Sequence, residues 1–358
     1  MSAPDATGPR RQDAEGMGRA LEVAERVRGL TAPNPWVGAA VGTGADGGED
    51  WFTGATAPPG GPHAEVVALR AAGARARSGT LYVTLEPCTH QGRTPPCTDA
   101  IISSGIQRVV VGVEDPDPRV SGRGIAALRS AGLPVEVGVE ADRVADQLSG
   151  YLKHRRTGRP GVTLKLASTL DGFTAAPDGS SRWITGETAR RDVHRMRARA
   201  DAVLVGAGTV RADDPSLTVR LPRNDPYFRG PDEQPARVVL GRAPAAAAVR
   251  PAIELQGGLG EVLDELGRRG VLELLVEGGA TVAHAFHSDG LVDRYVLYLA
   301  PALLGGDDGR PLFVGPGAPR LTDLWRGRVH SVTSLEGDLR VDLLPDTPRG
   351  AMVDPRNT

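Results

Sequence analysis

Only two cysteines occur in this chain, and both lie in one stretch, TLEPCTHQGRTPPC, as Cys88 and Cys97. Upstream, GGPHAE supplies His63 and Glu65. One imidazole and two thiolates make three ligands of a tetrahedral zinc ion, with the fourth position open to water. Such a set forms only in a fold that brings these separate segments to one point. A carboxylate two residues after the histidine can then move the water's proton without touching the metal. Two rival readings use the same residues: a disulfide between the cysteines, or a closed structural zinc site with His90 as the fourth ligand. The polar N-terminus MSAPDATGPRRQDAEG lacks the apolar stretch of a secretion signal. A reducing, cytoplasmic setting is therefore expected, where paired cysteines hold metal more often than they bridge.

The first half alternates helical and strand patterns. Met17, Ala20, Leu21, Ala24 and Val27 fall on one helical face. Strands are expected at 36–41, 80–85, 108–113 and 135–139, and helices from His63, near Cys97 and over 124–131. Strands alternating with helices imply a layered α/β domain with a largely parallel sheet. The cysteines and His63 then sit near two helix N-termini, whose positive ends favour thiolates. The order H-x-E, then P-C, then a second cysteine is the mark of zinc deaminases, although the usual P-C-x-x-C spacing is lengthened here.

After a charged stretch over 140–156, a second α/β unit begins near Pro160. Its strand candidates are VTLKLAS, DAVLVGAGT, ARVVL, LELLVEGGA and RYVLYLAP, with helices over 189–200, 259–269 and 281–286. VTSLEGDLRVDLL reads as a terminal hairpin turning at Glu336-Gly337-Asp338. Gly206-Ala207-Gly208-Thr209 and Gly278-Gly279-Ala280-Thr281 follow strands, where backbone N–H groups can meet a phosphate, but tight turns are the better explanation of either segment taken singly. Arg197 and Arg220 could clamp a phosphate or be solvated surface residues, and Trp183 reads most simply as a partly buried core aromatic. Glu277 ends an apolar strand, so its carboxylate is expected to project into a cleft at the sheet's end.

The formal net charge of −2 offers no general attraction for nucleic acid. No apolar run approaches the roughly 20 residues of a membrane span. Small-molecule substrates are expected, with no nucleic acid and no membrane, and a homo-oligomer stays open.

The order of motifs is similar to one family. TAPNPWVG, GGPHAE, the cysteine segment and DPDPRVSGRGI resemble the deaminase half of the bifunctional riboflavin-biosynthesis family RibD. LKLASTLDG, GSSRWITG, DAVLVGAGTVRADDPSLTVR and LLVEGGAT resemble its reductase half. The resemblance spans roughly residues 15–345 and implies a cytidine-deaminase-like three-layer domain followed by a dihydrofolate-reductase-like domain. It implies a tail over 1–14, the deaminase over 15–150, a linker over 151–160, the reductase over 161–347 and a tail over 348–358. It also implies deamination of 2,5-diamino-6-(5-phosphoribosylamino)pyrimidin-4(3H)-one, then NADPH-dependent reduction of the ribosyl group to give 5-amino-6-(5-phosphoribitylamino)uracil. By resemblance His63, Cys88 and Cys97 hold a single Zn2+ and Glu65 is the proton shuttle, while Asn34, His90, Arg93, Asp115 and Asp117 meet the first substrate. Lys165, Asp171, Ser181, Arg197, Leu217, Arg220 and Glu277 match positions contacting the second substrate. Ala167, Trp183, Thr209, Asp213 and the run Gly279, Ala280, Thr281, Val282, Ala283, His284, Ala285 match positions lining NADPH.

Three departures stand out. Asp117 replaces the family's usual asparagine, and Thr169 replaces a serine. The segment over 243–260 is short and is expected to lack a strand, with weak cofactor binding and little choice between NADPH and NADH as the consequence. Other readings are a deaminase carrying an inactive reductase scaffold, or a zinc-stabilised interaction protein without turnover. The intact Glu65, Lys165, Asp171 and Glu277 argue against both.

Overall fold

Short apolar runs between glycines and charged helices divide the chain into two units. The computed structural model describes residues 11–44, 50–91 and 95–346. The first unit runs to Pro160 and takes in Asn224–Tyr227 and Leu263–Leu272; the second holds the remainder from Gly161.

In the first unit α1 (Arg11–Val27) buries Met17, Ala20, Leu21 and Ala24, the expected face. It begins inside the tail expected over 1–14. Asp13 explains this: buried, it accepts the Tyr82 hydroxyl at 3.2 Å and the Arg108 guanidinium at 2.6 and 2.9 Å. Five strands follow, β1 (Gly38–Gly42), β2 (Trp51–Ala55), β3 (Thr80–Leu85), β4 (Arg108–Val113) and β5 (Val135–Val137), in the order β2-β1-β3-β4-β5. β1 runs antiparallel to both β2 and β3, while β3, β4 and β5 are parallel. The largely parallel sheet expected for this half is therefore mixed, because β2 folds back on β1 as a hairpin.

The helices lie on both faces. A Cβ on Gly38 would stand 1.9 Å from the Ala20 carbonyl oxygen in α1, and one on Gly54 would stand 2.4 Å from Ala68 N in α2 (Ala64–Ala72). Gly38 pairs with Ala55 and Ala39 with Gly54, so the two glycines face opposite sides of the sheet. α1 and α2 thus cover opposite faces and give the three layers. α3 (Cys97–Ser104), α4 (Arg123–Ser130), α5 (Ala141–Gln147) and α6 (Ser149–Thr157) complete the unit. Much of the segment expected as a linker over 151–160 is helix α6.

Glu86, just past β3, fixes the metal-binding loop. Its buried carboxylate accepts the backbone N–H groups of Asp115, Gly122, Gly124 and Ile125 at 2.8–3.2 Å. Four charge-assisted bonds tie the turn into α4 to the residue before Pro87-Cys88. Glu86→Gln keeps the shape but turns an amide toward those donors, and is expected to cost about 1–3 kcal/mol. Urea melts of the two proteins measure this, and equal midpoints would remove Glu86 from that role.

The second unit holds an eight-stranded sheet, among the described residues, in the order β10-β9-β8-β11-β6-β12-β15-β14. In chain order the elements are β6 (Gly161–Thr169), β7 (Phe173–Ala175), α7 (Glu187–Arg199), β8 (Ala202–Gly206), α8 (Ala207–Asp213) and β9 (Ala236–Leu240). Then come β10 (Ile253–Leu255), α9 (Leu259–Arg268), whose residues from Leu263 on belong to the first unit, β11 (Glu273–Val276), α10 (Ala280–Ser288), β12 (Arg294–Ala300), β13 (Arg310–Pro311), β14 (Gly327–Leu335) and β15 (Asp338–Pro345). The strands from β10 to β12 are parallel, and the β14–β15 hairpin closes one side antiparallel.

One expectation fails outright. The segment over 243–260 does contain a strand: β10 pairs in parallel with β9. Arg250 anchors the turn before it, donating to the Ala243 and Pro244 carbonyls at 2.8 and 2.9 Å and to Glu254 at 2.6 Å. The segment keeps a strand, so the part of the cofactor argument that rested on a missing strand falls. Trp183 also departs from expectation. It is 69% exposed, with the Arg190 guanidinium 4.6 Å from its ring centre, and is no core residue.

Two candidate active sites

In the first unit His63 is the N-cap residue of α2, and Cys97 opens α3. Cys88 lies on the loop after β3, its carbonyl accepting Thr98 N–H at 3.3 Å. His63 Nδ1 stands 3.2 Å from Cys97 Sγ and 3.6 Å from Cys88 Sγ. Zinc bonds of about 2.1 Å to nitrogen and 2.3 Å to sulfur at a tetrahedral angle separate N from S by about 3.6 Å. The donors therefore fit one zinc ion. Both cysteines are free thiols, and among the described residues His63, Cys88 and Cys97 form the group that could hold a metal ion. His90 stays outside it, its Nδ1 buried without a hydrogen-bond partner. The disulfide and closed-site readings both fall.

The three donors share protons among themselves, and a bound zinc would displace those that Cys97 and His63 hold. A hydrogen bond from Cys97 is the main cause lowering the Cys88 thiol to about 4. The same bond, burial and Glu65 raise Cys97. The hydrogen bond with Cys88 raises His63. Glu65, in the first turn of α2 and 3% exposed, is lifted to about 6, chiefly by burial. Metal analysis of the purified protein is expected to return a single zinc per chain, lost in Cys88→Ala and in Cys97→Ala; zinc retained by either would break the ligand assignment.

Of the residues matched to the first substrate, Asn34 closes a tight turn, its N–H donating to the Thr31 carbonyl at 2.8 Å. The Asp115 carboxylate accepts the Tyr151 hydroxyl at 2.9 Å and Asp117 N–H at 2.9 Å. Burial is the main cause raising it. Asp117 is bound by Arg119 Nε and Nη2 at 3.0 and 2.7 Å, which brings its carboxyl down to about 2. Both carboxylates are thus engaged in holding their own loop. Arg93 lies outside the described residues.

The second site gathers at the carboxyl ends of β6, β8 and β11. Glu277 follows β11, and Arg197 of α7 meets it at two points, Nε–Oε1 2.6 Å and Nη2–Oε2 3.0 Å. Their side chains are only 11% and 8% exposed. Burial pushes Glu277 up, but Arg197, Lys165 and His194 outweigh it and hold the carboxyl near about 2. The expected projecting carboxylate is instead locked in a buried ion pair, and the Arg197 fork is occupied rather than free for phosphate. Lys165 on β6 lies 5.9 Å from the Tyr298 ring centre, its pKa lowered mainly by burial. Leu217 is buried at φ 55°, and Arg220 Nη1 donates to Ser216 Oγ at 2.6 Å. Asp171 accepts Leu304 and Gly305 N–H at 3.1 and 2.9 Å and the Thr169 hydroxyl at 2.5 Å, so threonine retains the bonding function of a serine there.

The residues matched to NADPH gather in part. Gly279 N–H donates to Thr209 Oγ1 at 3.1 Å, which joins the two strand–helix turns. Asp213 ends α8, its carbonyl accepting Arg182 Nη2 at 2.8 Å. Ala167 is half-buried, as is Ser181, which is matched to the substrate. On α10, Thr281 is exposed and Val282, His284 and Ala285 are half-buried, whereas Ala280 and Ala283 face the core. Ala283 therefore offers no side chain to a cofactor. A Cβ on Gly206 or Gly278 would meet Val282 at 2.8 or 2.6 Å, so packing accounts for both glycines; Gly208 faces open space. His194, Gln234 and Tyr298 also belong to this neighbourhood. The spacing of His194 and Arg197, one turn apart on α7, was the available signal for the first of them.

Comparison with known proteins places both halves. The family model for the cytidine and deoxycytidylate deaminase zinc-binding region matches residues 10–113, and that for the RibD C-terminal domain matches residues 160–333. The riboflavin biosynthesis protein RibD of Escherichia coli K12 is 40% identical, over 93% of this chain and 99% of its own length. Its counterpart in Mycobacterium tuberculosis H37Rv is 43% identical, over 92% of this chain and 96% of its own. Among solved structures, Acinetobacter baumannii RibD, form 1, aligns with a TM-score of 0.84 at 38% identity, covering 94% of this chain and 99% of that one. A Thermotoga maritima structure described as a diaminohydroxyphosphoribosylaminopyrimidine deaminase/5-amino-6-(5-phosphoribosylamino)uracil reductase aligns at 0.79 with 33% identity, over 93% and 99%. Zinc donors in one unit and a reductase cleft in the other thus coincide with full-length relatives: this chain belongs to the RibD family, the bifunctional deaminase–reductases of riboflavin biosynthesis.

Proposed function

We propose that the first unit removes an amine from 2,5-diamino-6-(5-phosphoribosylamino)pyrimidin-4(3H)-one and that the second reduces the ribosyl group of the product. The convergence of His63, Cys88 and Cys97 beside the buried Glu65 carries the reading. Zinc held by those three residues supplies, when bound, a water ionised near neutral pH. Glu65 takes that water's proton and delivers it to the departing amine, a transfer suited to a carboxyl raised to about 6. Asn34 orients the pyrimidine, and His90 faces the phosphoribosyl arm. Asp115 and Asp117 shape the loop beside them.

In the second unit Lys165, Arg220 and the Arg197–Glu277 pair surround the sugar, with Asp171, Ser181 and Leu217 completing the wall. Ala167, Trp183, Thr209, Asp213 and the exposed part of α10 hold NADPH, which supplies the hydride when bound. These residues contribute orientation and exclusion of water. The substrates are small molecules, in keeping with the near-neutral charge, and the protein works in the cytoplasm without nucleic acid or membrane. Among the described residues no helix is long and apolar enough to cross a membrane.

The test supplies the diaminopyrimidine substrate with and without NADPH and identifies products by mass. Exchange of an amine for oxygen is expected without NADPH, and the further gain of two hydrogens with it. Deamination with no further change on adding NADPH would reduce the second unit to a scaffold.

A further inference from the structure

Residues 216–220 run from α8 toward β9 without joining the sheet, so their backbone groups have no strand partner. Side chains supply the missing bonds. Arg197 Nη1 donates to the Thr218 carbonyl at 3.1 Å, Val219 N–H donates to Gln234 Oε1 at 2.7 Å, and Arg220 N–H donates to His194 Nδ1 at 3.2 Å. His194 and Arg197 lie one turn apart on α7 and so face the segment together. Arg220 is itself exposed while His194 is half-buried, so the imidazole holds the backbone in place against solvent by direction as well as by contact.

We infer that His194 is a positioning residue of the reductase site: its neutral ring, through Nδ1, holds the Arg220 backbone and so sets where the Arg220 side chain meets the substrate. The inference rests on the proposed role of Arg220 in substrate contact. A ring accepting at Nδ1 carries its proton on Nε2. Burial first, then Arg197 and Arg220, lower His194 to about 4 against the pull of Glu277, so the accepting form is the one present at neutral pH.

Three variants separate this from a packing role. His194→Asn places an amide oxygen where Nδ1 stood. His194→Leu removes the acceptor, and His194→Gln carries its oxygen toward the place of Nε2 instead. Losing the bond that holds the Arg220 N–H is expected to raise KM for 5-amino-6-(5-phosphoribosylamino)uracil by about 2- to 10-fold in the Leu and Gln proteins. The Asn protein should stay near wild type, and NADPH affinity by fluorescence titration should be unchanged in all three. Hydrogen exchange over residues 217–221 should speed up in the Leu and Gln proteins and not in the Asn protein. Should the Leu protein not fold, the Asn and Gln proteins carry the same comparison. Equal KM in the Asn and Gln proteins, loss confined to kcat, or unchanged exchange would overturn the inference. Arg220→Met is the separate control. If it leaves KM unchanged, the substrate reading of Arg220 fails, and the exchange data alone decide whether His194 holds the segment.

Discussion

Glu65→Gln is expected to keep its zinc while deamination falls by about 10²- to 10⁴-fold, the scale on which positioned proton transfer contributes. Glutamine matches glutamate in shape and can still bond within the buried first turn of α2, so the three ligands should hold their places. What it cannot do is accept and release a proton. Reduction of substrate supplied already deaminated should proceed as in wild type, since its chemistry belongs to other residues. Zinc content, deaminase turnover and reductase turnover are measured on one preparation. Parallel loss of both activities would mean that the substitution damages the fold rather than the proton path.

Removing the Glu277 charge is expected to act on stability as well as on reduction. From sequence alone, Glu277→Gln should leave a folded domain that merely fails to reduce. The two-point pair with Arg197 changes that expectation. Deleting one partner of a buried ion pair strands the other, at a cost of about 3–5 kcal/mol. The pH dependence has a definite sign. The folded carboxyl lies near about 2 rather than 4.5, so the pair's contribution is complete above pH 4.5 and drains away as pH falls from 4.5 toward 2. Wild-type melts should weaken across that window, and the Gln variant should lack that share of the slope. Combining Glu277→Gln with Arg197→Met should recover part of the stability, because no unpaired charge then remains. A single variant that melts like wild type would show that the pair contributes nothing to the fold.

The metal site was legible because residue type alone nearly determines it: few side chains bind zinc, and this chain spends its only thiols there. β3 and β4 also stood where expected, since both are short apolar runs that the structure buries almost throughout. β2 and β10 escaped notice as edge strands, half-exposed and brief, in which Trp51-Phe52 breaks the alternation and Ile253–Leu255 spans only three residues. The reductase pocket was less readable for a different reason. Arg197 and Glu277 are far apart in sequence, and only the pairing of β11 beside β8 brings their elements together. Which charge neutralises which is a property of that register, and no local pattern announces it. Taken alone, Arg197 read as a phosphate clamp or a solvated surface residue, and the resemblance matched it to a substrate position without naming its partner.

The place of β6 in its sheet bears on how the protein is made. It is the first strand of the second unit to leave the ribosome, yet it lies between β11 and β12. Gly161 must wait for Glu273, and Thr163 for Arg294, before either edge of β6 finds its neighbour. The strand carrying Lys165 therefore stays unpaired during most of the unit's synthesis, whereas in the first unit β1 is followed at once by its partner β2. Pairing over such sequence distances is slow and leaves apolar edges open to other chains. Nascent second units are thus the stage at which this enzyme most needs dilution or a chaperone.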